Sequence, residues 1–218
     1  MVEGARYISR DGPRRVTVFA KAGIGLLGTA WVLFPIMGAR IFPLTSLKNS
    51  PARGAMLSMS LLMTARGLGA LIGPLASAPW VKQDEGRLRL GILLGFLIGG
   101  IGYLALAGAP TLPLACATVV LAHAGAASVW VHSTTLLQLH TEDAFRGRVF
   151  AAELGFCMLS IAVSAAIAGF AVDHGVSVRM VALLTGCVMF VPTAAWALSS
   201  RMWTQSTFSE SRGTGARS

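Results

Sequence analysis

The chain contains 218 residues, of which 54% are hydrophobic and 12% are charged, and its mean hydropathy is +0.67. Soluble domains carry about 25% charged residues, so this composition excludes an ordinary soluble domain. The net charge of +9 does not indicate a nucleic-acid partner, because the basic residues form neither one run nor one face. They lie mainly in the short connections between apolar stretches, where membrane topology places them.

Six apolar stretches fill most of the chain, at residues 16–38, 56–79, 90–109, 112–139, 149–172 and 180–199. A helix rises about 1.5 Å per residue, so about 20 residues cross a hydrocarbon core about 30 Å thick. Lipid offers backbone amides no hydrogen-bond partners, so each stretch is expected to be helical. The predicted fold class is an all-α membrane protein with six transmembrane helices.

The stretches divide the chain into a basic segment (residues 1–15), a transmembrane domain (residues 16–200) and a tail rich in Ser, Gly and Arg (residues 201–218). The first segment has no apolar core, which predicts that the first span is an uncleaved anchor. The tail is predicted to be disordered. Few basic residues follow the odd-numbered spans, namely Arg40, Lys48, Arg53 and Arg179. The positive-inside bias therefore predicts that both termini are cytoplasmic.

Two basic side chains lie within the first two spans. Lys21 is about two turns inside the first span, and we expect its ammonium group to reach back to the membrane surface. Arg66 lies near the middle of the second span, where a charged side chain costs at least about 2.5 kcal/mol. We expect Arg66 to face a cavity or a partner. The alternative is a structural arginine that caps carbonyl groups of a neighbouring helix.

Small residues mark predicted packing faces on the second and third spans. They are Gly69 and Gly73 in the second span, and Gly91, Gly95, Gly99 and Gly102 in the third. Glycine lets helix backbones approach closely, so both faces are expected to contact a neighbouring helix. The connection at residues 108–113 is short and rich in Pro and Gly, which predicts an antiparallel hairpin of spans three and four.

Polar side chains form one stripe on the fourth span and another on the fifth. At about 100° per residue, each set falls on one helix face: Ser128, His132 and Thr135, and then Glu153, Cys157, Ser160 and Ser164. Glu153 is the one acidic residue within a span. The stripes either line a water-filled path for a solute or make hydrogen bonds between helices. Likewise, His132 is either a proton-coupling group or a hydrogen-bonded core histidine.

Neither a metal nor a cofactor is predicted. His123 and His132 are nine residues apart, which puts them on opposite faces of one helix, so they cannot bind one metal ion. Cys116, Cys157 and Cys187 are odd in number and lack metal-ligand spacing. They are interpreted as small apolar residues of the core.

Residues 138–150 join the fourth and fifth spans with the sequence Gln-Leu-His-Thr-Glu-Asp-Ala-Phe-Arg-Gly-Arg-Val-Phe. This segment resembles the loop between helices ten and eleven of major facilitator superfamily transporters. The branch it most resembles is that of the bacterial enterobactin-exporter-like and drug-efflux-like permeases. Three further segments fit in order: residues 3–7 resemble the central loop, residues 65–70 the middle of helix eight, and residues 169–179 the end of helix eleven.

The resemblance implies that the chain is the C-terminal half of such a transporter. Its six helices would form one 3+3 inverted repeat of a major facilitator-type bundle, located in the inner membrane of a cell. The implied substrate is a small molecule, exported by alternating access between two six-helix halves. The implied partners are the lipid bilayer and either an N-terminal six-helix half or a second copy of the chain. Candidate substrate or proton-coupling residues are Arg66, His132, Glu153, Ser128, Thr135 and Ser160.

The Arg146-Gly147-Arg148 sequence is expected to act as a cytoplasmic gating loop. Its glycine would allow close approach of helices, and its arginines would reach helix C-terminal carbonyl groups or the nearby acids Glu142 and Asp143. The polar stripes are small and mostly uncharged, which fits amphipathic or lipophilic solutes better than a highly charged sugar phosphate.

The sequence leaves two alternatives to transport. The first is a six-span intramembrane enzyme, which is not expected, since a protease of rhomboid type needs a Gly-x-Ser-Gly nucleophile that this sequence lacks. The other alternative is a non-transporting membrane fragment, or an accessory half that only binds a partner.

Overall fold

Long apolar stretches bounded by proline, glycine and charged residues fold into six helices in the computed structural model, which describes residues 12–44, 50–82 and 84–199. The helices are α1 (Gly12–Ile41), α2 (Pro51–Val81), α3 (Glu85–Gly108), α4 (Leu112–Leu139), α5 (Asp143–Asp173) and α6 (Val178–Ser199). Each is long and apolar enough to cross a membrane, which confirms the six predicted spans. No strand occurs within the described residues.

Local chemistry fixes the helix ends. Prolines stand in the first turns of α2 and α4, where their missing N–H group costs nothing. The Asp84 carboxylate accepts a hydrogen bond of 2.7 Å from the backbone N–H of Arg87 and caps α3. The Ser177 hydroxyl caps α6 in the same way, accepting from the N–H of Met180 at 3.2 Å. These caps place several helix ends a few residues outside the apolar stretches.

Helix α1 is not uniform along its length. It is α-helical over Gly12–Gly25, tightens to a 3₁₀ turn at Leu26–Thr29, and is α-helical again over Ala30–Ile36. Pro35 lies inside that last segment, where its ring removes one backbone hydrogen bond and crowds the carbonyl group four residues earlier. A wide π turn follows at Met37–Ile41. Such departures from regular α-helix can change the direction of the helix axis, which lets α1 pack against several neighbouring helices.

Consecutive helices run antiparallel, so the bundle has two ends. At the first end, where α1, α3 and α5 begin, Arg14 donates hydrogen bonds of 3.0 and 3.2 Å to the carbonyl oxygen of His140. At the second end, Arg179 of α6 donates to the carbonyl oxygen of Ala107 at 2.8 Å. Its guanidinium also lies 5.8 Å from the ring of Phe42, beyond the end of α1.

Most of the contacts between helices involve α1 or α4. Helices α3 and α4 form the predicted hairpin, α2 packs on α4, α5 packs on α1, and α6 packs on α3. Helix α1 also contacts α4 directly. The largest buried side chains of the core are aromatic and come from α1 and α3, namely Phe34, Phe96 and Tyr103.

The glycine faces lie where the helices are closest. A Cβ atom at Gly69 would fall on the carbonyl oxygen of Val120, and one at Gly73 would fall on that of Ala124. On α3, a Cβ atom at Gly102 would lie 2.7 Å from the Cα atom of Ala122. The predicted packing faces of the second and third spans are therefore confirmed, and both meet α4.

Helices α2 and α5 are the least covered of the six. Within the most apolar part of each helix, 22% of α2 and 17% of α5 is buried, against 61% of α1. Their outer sides are apolar, with exposed residues such as Leu71, Leu75, Leu159 and Ile167. The central helices thus provide the core, while α2 and α5 flank one side of the bundle.

Some predictions concern residues outside the described ranges. Most of the predicted cytoplasmic segment, and with it residues 3–7, lies there, as does the tail at residues 201–218. Residues 12–15 are described, and they belong to the first turn of α1 rather than to a segment that precedes it.

Candidate functional site

A cavity of about 550 Å³ lies between α1, α2, α4 and α5. We call it the four-helix cavity. Its wall is mostly apolar, and its most distinctive side chains are Trp31 of α1, Arg66 of α2, His123 and Trp130 of α4, and Cys157 of α5. Ligand sites in helical bundles commonly have this form, a concave apolar space with a few polar groups.

Arg66 is the charged residue of the cavity wall. It is the middle residue of α2 (Pro51–Val81), so it lies at the centre of the membrane-spanning length. Its guanidinium carbon is 4.8 Å from the ring centroid of Trp31, a cation–π contact. Within the described residues it has no ion pair and no hydrogen bond to a carbonyl group. The structure thus places Arg66 at a cavity, as one of the two sequence-based interpretations expected.

His123 is the second polar group of the wall, and it was not among the predicted site residues. Its Nδ1 atom lies 3.1 Å from the carbonyl oxygen of Val119, and its ring packs 6.0 Å from Phe34 and 6.2 Å from Tyr103. Since a carbonyl oxygen only accepts hydrogen bonds, Nδ1 carries a proton, and Nε2 of the neutral ring is an acceptor. The sequence contains a signal that could have identified His123. Trp130 lies seven residues further on, so the two side chains share one face of the helix.

A buried ion pair lies beside the cavity, towards the first end of the bundle. The Nζ atom of Lys21 is 2.8 Å from Oε2 of Glu153, and the two residues are 5% and 1% exposed. The ammonium group also lies 4.5 Å from the ring centroid of Trp130. The expectation that Lys21 reaches the membrane surface is wrong, because Glu153 offers a partner inside the bundle.

The polar stripe of α5 faces α1. Ser160 donates a hydrogen bond of 2.7 Å to the carbonyl oxygen of Ala22, and Ser164 donates one of 3.0 Å to that of Gly25. Together with the ion pair, these bonds attach α5 to α1. Of the stripe, only Cys157 lines the four-helix cavity. The structure therefore shows the hydrogen-bonded arrangement for Glu153, Ser160 and Ser164.

The polar stripe of α4 also lies outside the cavity wall. Ser128 and Thr135 donate to carbonyl groups of their own helix, those of Ala124 at 2.9 Å and Val131 at 3.0 Å. The Nε2 atom of His132 lies 3.1 Å from the hydroxyl oxygen of Ser77 on α2, and its ring is buried. His132 thus occupies the place of a hydrogen-bonded core histidine between helices.

The predicted gating segment is helical. Helix α5 begins at Asp143, so Arg146, Gly147 and Arg148 lie in its first turns and not in a loop. Arg146 pairs with Asp143 at 2.7 Å on the exposed surface. Nothing lies within 4 Å of a Cβ atom built at Gly147, so the expected close approach of helices there is wrong. The predicted apolar stretch begins six residues after the start of the helix because the first turns of α5 are charged.

Comparisons of the chain with protein-family models, with curated proteins and with solved structures found no match. No group of three His, Cys, Asp or Glu residues that could hold a metal ion occurs in the part of the chain that the structure describes. Fold and site together define a multi-pass helical membrane protein with an apolar cavity that contains one arginine.

Proposed function

We propose that the chain is one six-helix half of a secondary transporter of major facilitator type, and that the four-helix cavity is its share of the substrate path. The observation that carries the proposal is the position of Arg66. A charged side chain at the centre of a membrane-spanning helix marks a functional site by default. Arg66 lies in a cavity flanked by the two least buried helices, α2 and α5.

The packing of the helices supports this proposal. The first three helices can be matched in order to the last three, so that α1 corresponds to α4, α2 to α5 and α3 to α6. Under this match the contact of α2 with α4 corresponds to the contact of α5 with α1, and the structure has both. The contacts of α3 with α6 and of α1 with α4 are unchanged by the match. The correspondence is partial, because the extensive contact of α3 with α4 becomes the much smaller contact of α6 with α1. Since α1 and α4 begin at opposite ends of the bundle, the two triplets have inverted orientations. Inverted repeats of this kind are typical of secondary transporters.

The transport mechanism would be alternating access, with this bundle moving against a second one. The apolar outer sides of α2 and α5 would contact an N-terminal half or a second copy, and the rest of the surface would contact lipid. Arg66 and His123 would contact the substrate. Glu153, paired with Lys21 beside the cavity, is the proposed coupling group. Export and a bacterial inner-membrane location are proposed on the sequence resemblance alone, as is the cytoplasmic position of both termini.

A flux assay tests the proposal. Proteoliposomes would be prepared with the chain alone and with a co-expressed N-terminal six-helix partner, and supplied with naphthalene derivatives that carry a carboxylate, an ammonium or an amide group. We expect flux of at least one compound with the partner and none with the chain alone. Equal flux without the partner contradicts the need for an N-terminal half, and in that case cross-linking in the proteoliposomes decides between a second copy and a single bundle. No flux in either preparation contradicts transport of these compounds.

Cysteine accessibility tests whether the cavity contains water. With Cys116, Cys157 and Cys187 replaced by alanine, Ala70→Cys and Ala127→Cys would place thiols in the cavity wall, and Leu94→Cys would place one at an exposed position of α3. Thiols react as thiolates, which form in water and not in lipid. In membranes of expressing cells, we expect the two cavity thiols to react about tenfold faster with a membrane-impermeant methanethiosulfonate than the Leu94→Cys control.

Equal, slow labelling of all three positions would mean that lipid tails fill the cavity. That result would support the alternative of a non-transporting membrane fragment.

A further inference from the structure

The four-helix cavity is positively charged. Its wall contains the guanidinium of Arg66 and no aspartate or glutamate among the described residues. Glu153, the one acidic residue within the six predicted spans, lies outside the wall and pairs with Lys21 at 2.8 Å. The charge of Arg66 is therefore not neutralised by any described acidic side chain, and it acts across a cavity whose wall is mostly apolar.

The rest of the wall fits a flat apolar body. Trp31 and Trp130 contribute indole rings from α1 and α4, and the other lining residues are mostly alanine, glycine and aliphatic side chains. His123 adds a hydrogen-bond acceptor at Nε2, which can receive an N–H or O–H group of a ligand but not its anionic group. A volume of about 550 Å³ is in the usual range for a site that encloses a small organic molecule.

We propose that the four-helix cavity binds amphipathic organic monoanions, with an aromatic or other flat apolar body against the tryptophans and a carboxylate or sulfonate group on Arg66. This inference rests on the proposed function, because it names the substrate class of the same site. A guanidinium pairs with a carboxylate through charge-assisted hydrogen bonds, which are stronger than neutral ones. It repels an organic cation of the same shape, so the site selects by charge as well as by size.

The depth of Arg66 favours a free organic anion over a lipid. The arginine lies 15 residues from either end of α2 (Pro51–Val81), which corresponds to about 22 Å of helix. Anionic lipid headgroups stay near the membrane surface, at the ends of the spans. A ligand that reaches Arg66 must therefore place its own charge near the middle of the membrane.

Binding of matched probes tests the inference independently of flux. The probes are 2-naphthoate, 2-naphthamide and 2-naphthylmethylammonium, which share the ring system and differ in charge. Equilibrium dialysis would use the full chain in phosphatidylcholine nanodiscs, with empty nanodiscs as background. We expect 2-naphthoate to bind about tenfold or more tightly than the ammonium probe, since a charge-assisted hydrogen bond contributes at least this much.

Substitutions test whether Arg66 causes the preference for 2-naphthoate over the ammonium probe. We expect Arg66→Gln to abolish this preference and Arg66→Lys to keep it in part. The control is Arg53→Gln, the same change at an exposed position of α2, which should leave the preference intact. If Arg66→Gln does not yield folded protein, the preference of the wild type and that of the Arg66→Lys variant still test the inference.

Three results would overturn the inference: equal affinity for all three probes, preference for the ammonium probe, or competition of 2-naphthoate by phosphatidylglycerol in the nanodisc, which would identify a lipid site. Flux of the ammonium compound without binding of 2-naphthoate would refute the substrate class and leave the proposed transport function standing. Selective binding of 2-naphthoate without any flux would contradict transport of these compounds and leave the anion site standing.

Discussion

Replacing Glu153 by leucine is expected to lower the free energy of unfolding by about 3 to 5 kcal/mol. The substitution leaves the ammonium group of Lys21 buried at 5% exposure without its carboxylate partner. The indole of Trp130, 4.5 Å away, compensates only in part. Removal of one member of a buried ion pair is costly because the remaining charge keeps its desolvation penalty and loses the attraction.

The measurement is reversible unfolding in mixed micelles, with the denaturing detergent varied and helix content followed by circular dichroism. The double variant Lys21→Met with Glu153→Leu should recover most of the lost stability, because it buries two apolar side chains in place of two charges. Asp143→Ala, which removes the exposed pair of the same helix with Arg146, should cause no measurable change. A Glu153→Leu protein as stable as wild type would contradict the buried pairing of Lys21 with Glu153.

The double variant also tests the proposed coupling role of Glu153. The Oε1 atom of this residue is buried and has no hydrogen-bond partner among the described residues. A protein that is stable without the pair separates its structural role from its role in transport. If flux in the double variant still follows an imposed proton gradient, Glu153 does not couple the proton.

Hydropathy predicted the membrane spans because burial in lipid constrains every residue of a span in the same way. The bounds of α4 (Leu112–Leu139) were predicted without error, since a Pro-Gly turn precedes this helix. Helix α5 begins six residues earlier than predicted, at Asp143. Its first turns are charged, and hydropathy detects where a helix crosses the membrane, not where its hydrogen bonding begins.

The periodicity of a helix shows which residues share a face, but not which helix that face contacts. Glu153, Ser160 and Ser164 do share a face, yet that face packs against α1 instead of lining a path. The pairing of Lys21 with Glu153 joins residues 132 positions apart, a distance over which a single sequence contains no signal. Arg66 could be identified because a charged side chain near the middle of a span is rare and costly, and its place in the span is visible in the sequence alone.

Replacing Gly73 by alanine is expected to lower the free energy of unfolding by about 1 to 3 kcal/mol. The added methyl group would fall on the carbonyl oxygen of Ala124, a backbone atom that cannot rotate away, so α2 and α4 must separate. Gly67→Ala is the matched control on the same helix, because nothing lies within 4 Å of a Cβ atom there. Its stability should be unchanged or slightly higher, since alanine is the better helix former.

The same displacement should reach the site, because Arg66 lies seven residues, or two turns, from Gly73 on the same side of α2. Movement of α2 away from α4 shifts the guanidinium relative to Trp31 of α1 and widens the cavity. We therefore expect Gly73→Ala to weaken binding of 2-naphthoate more than binding of neutral 2-naphthamide. Equal stability of the Gly73→Ala and Gly67→Ala proteins would show that α2 and α4 are not in close contact at this glycine. Loss of affinity for both probes alike would mean that the cavity, and not the position of the charge, was disturbed.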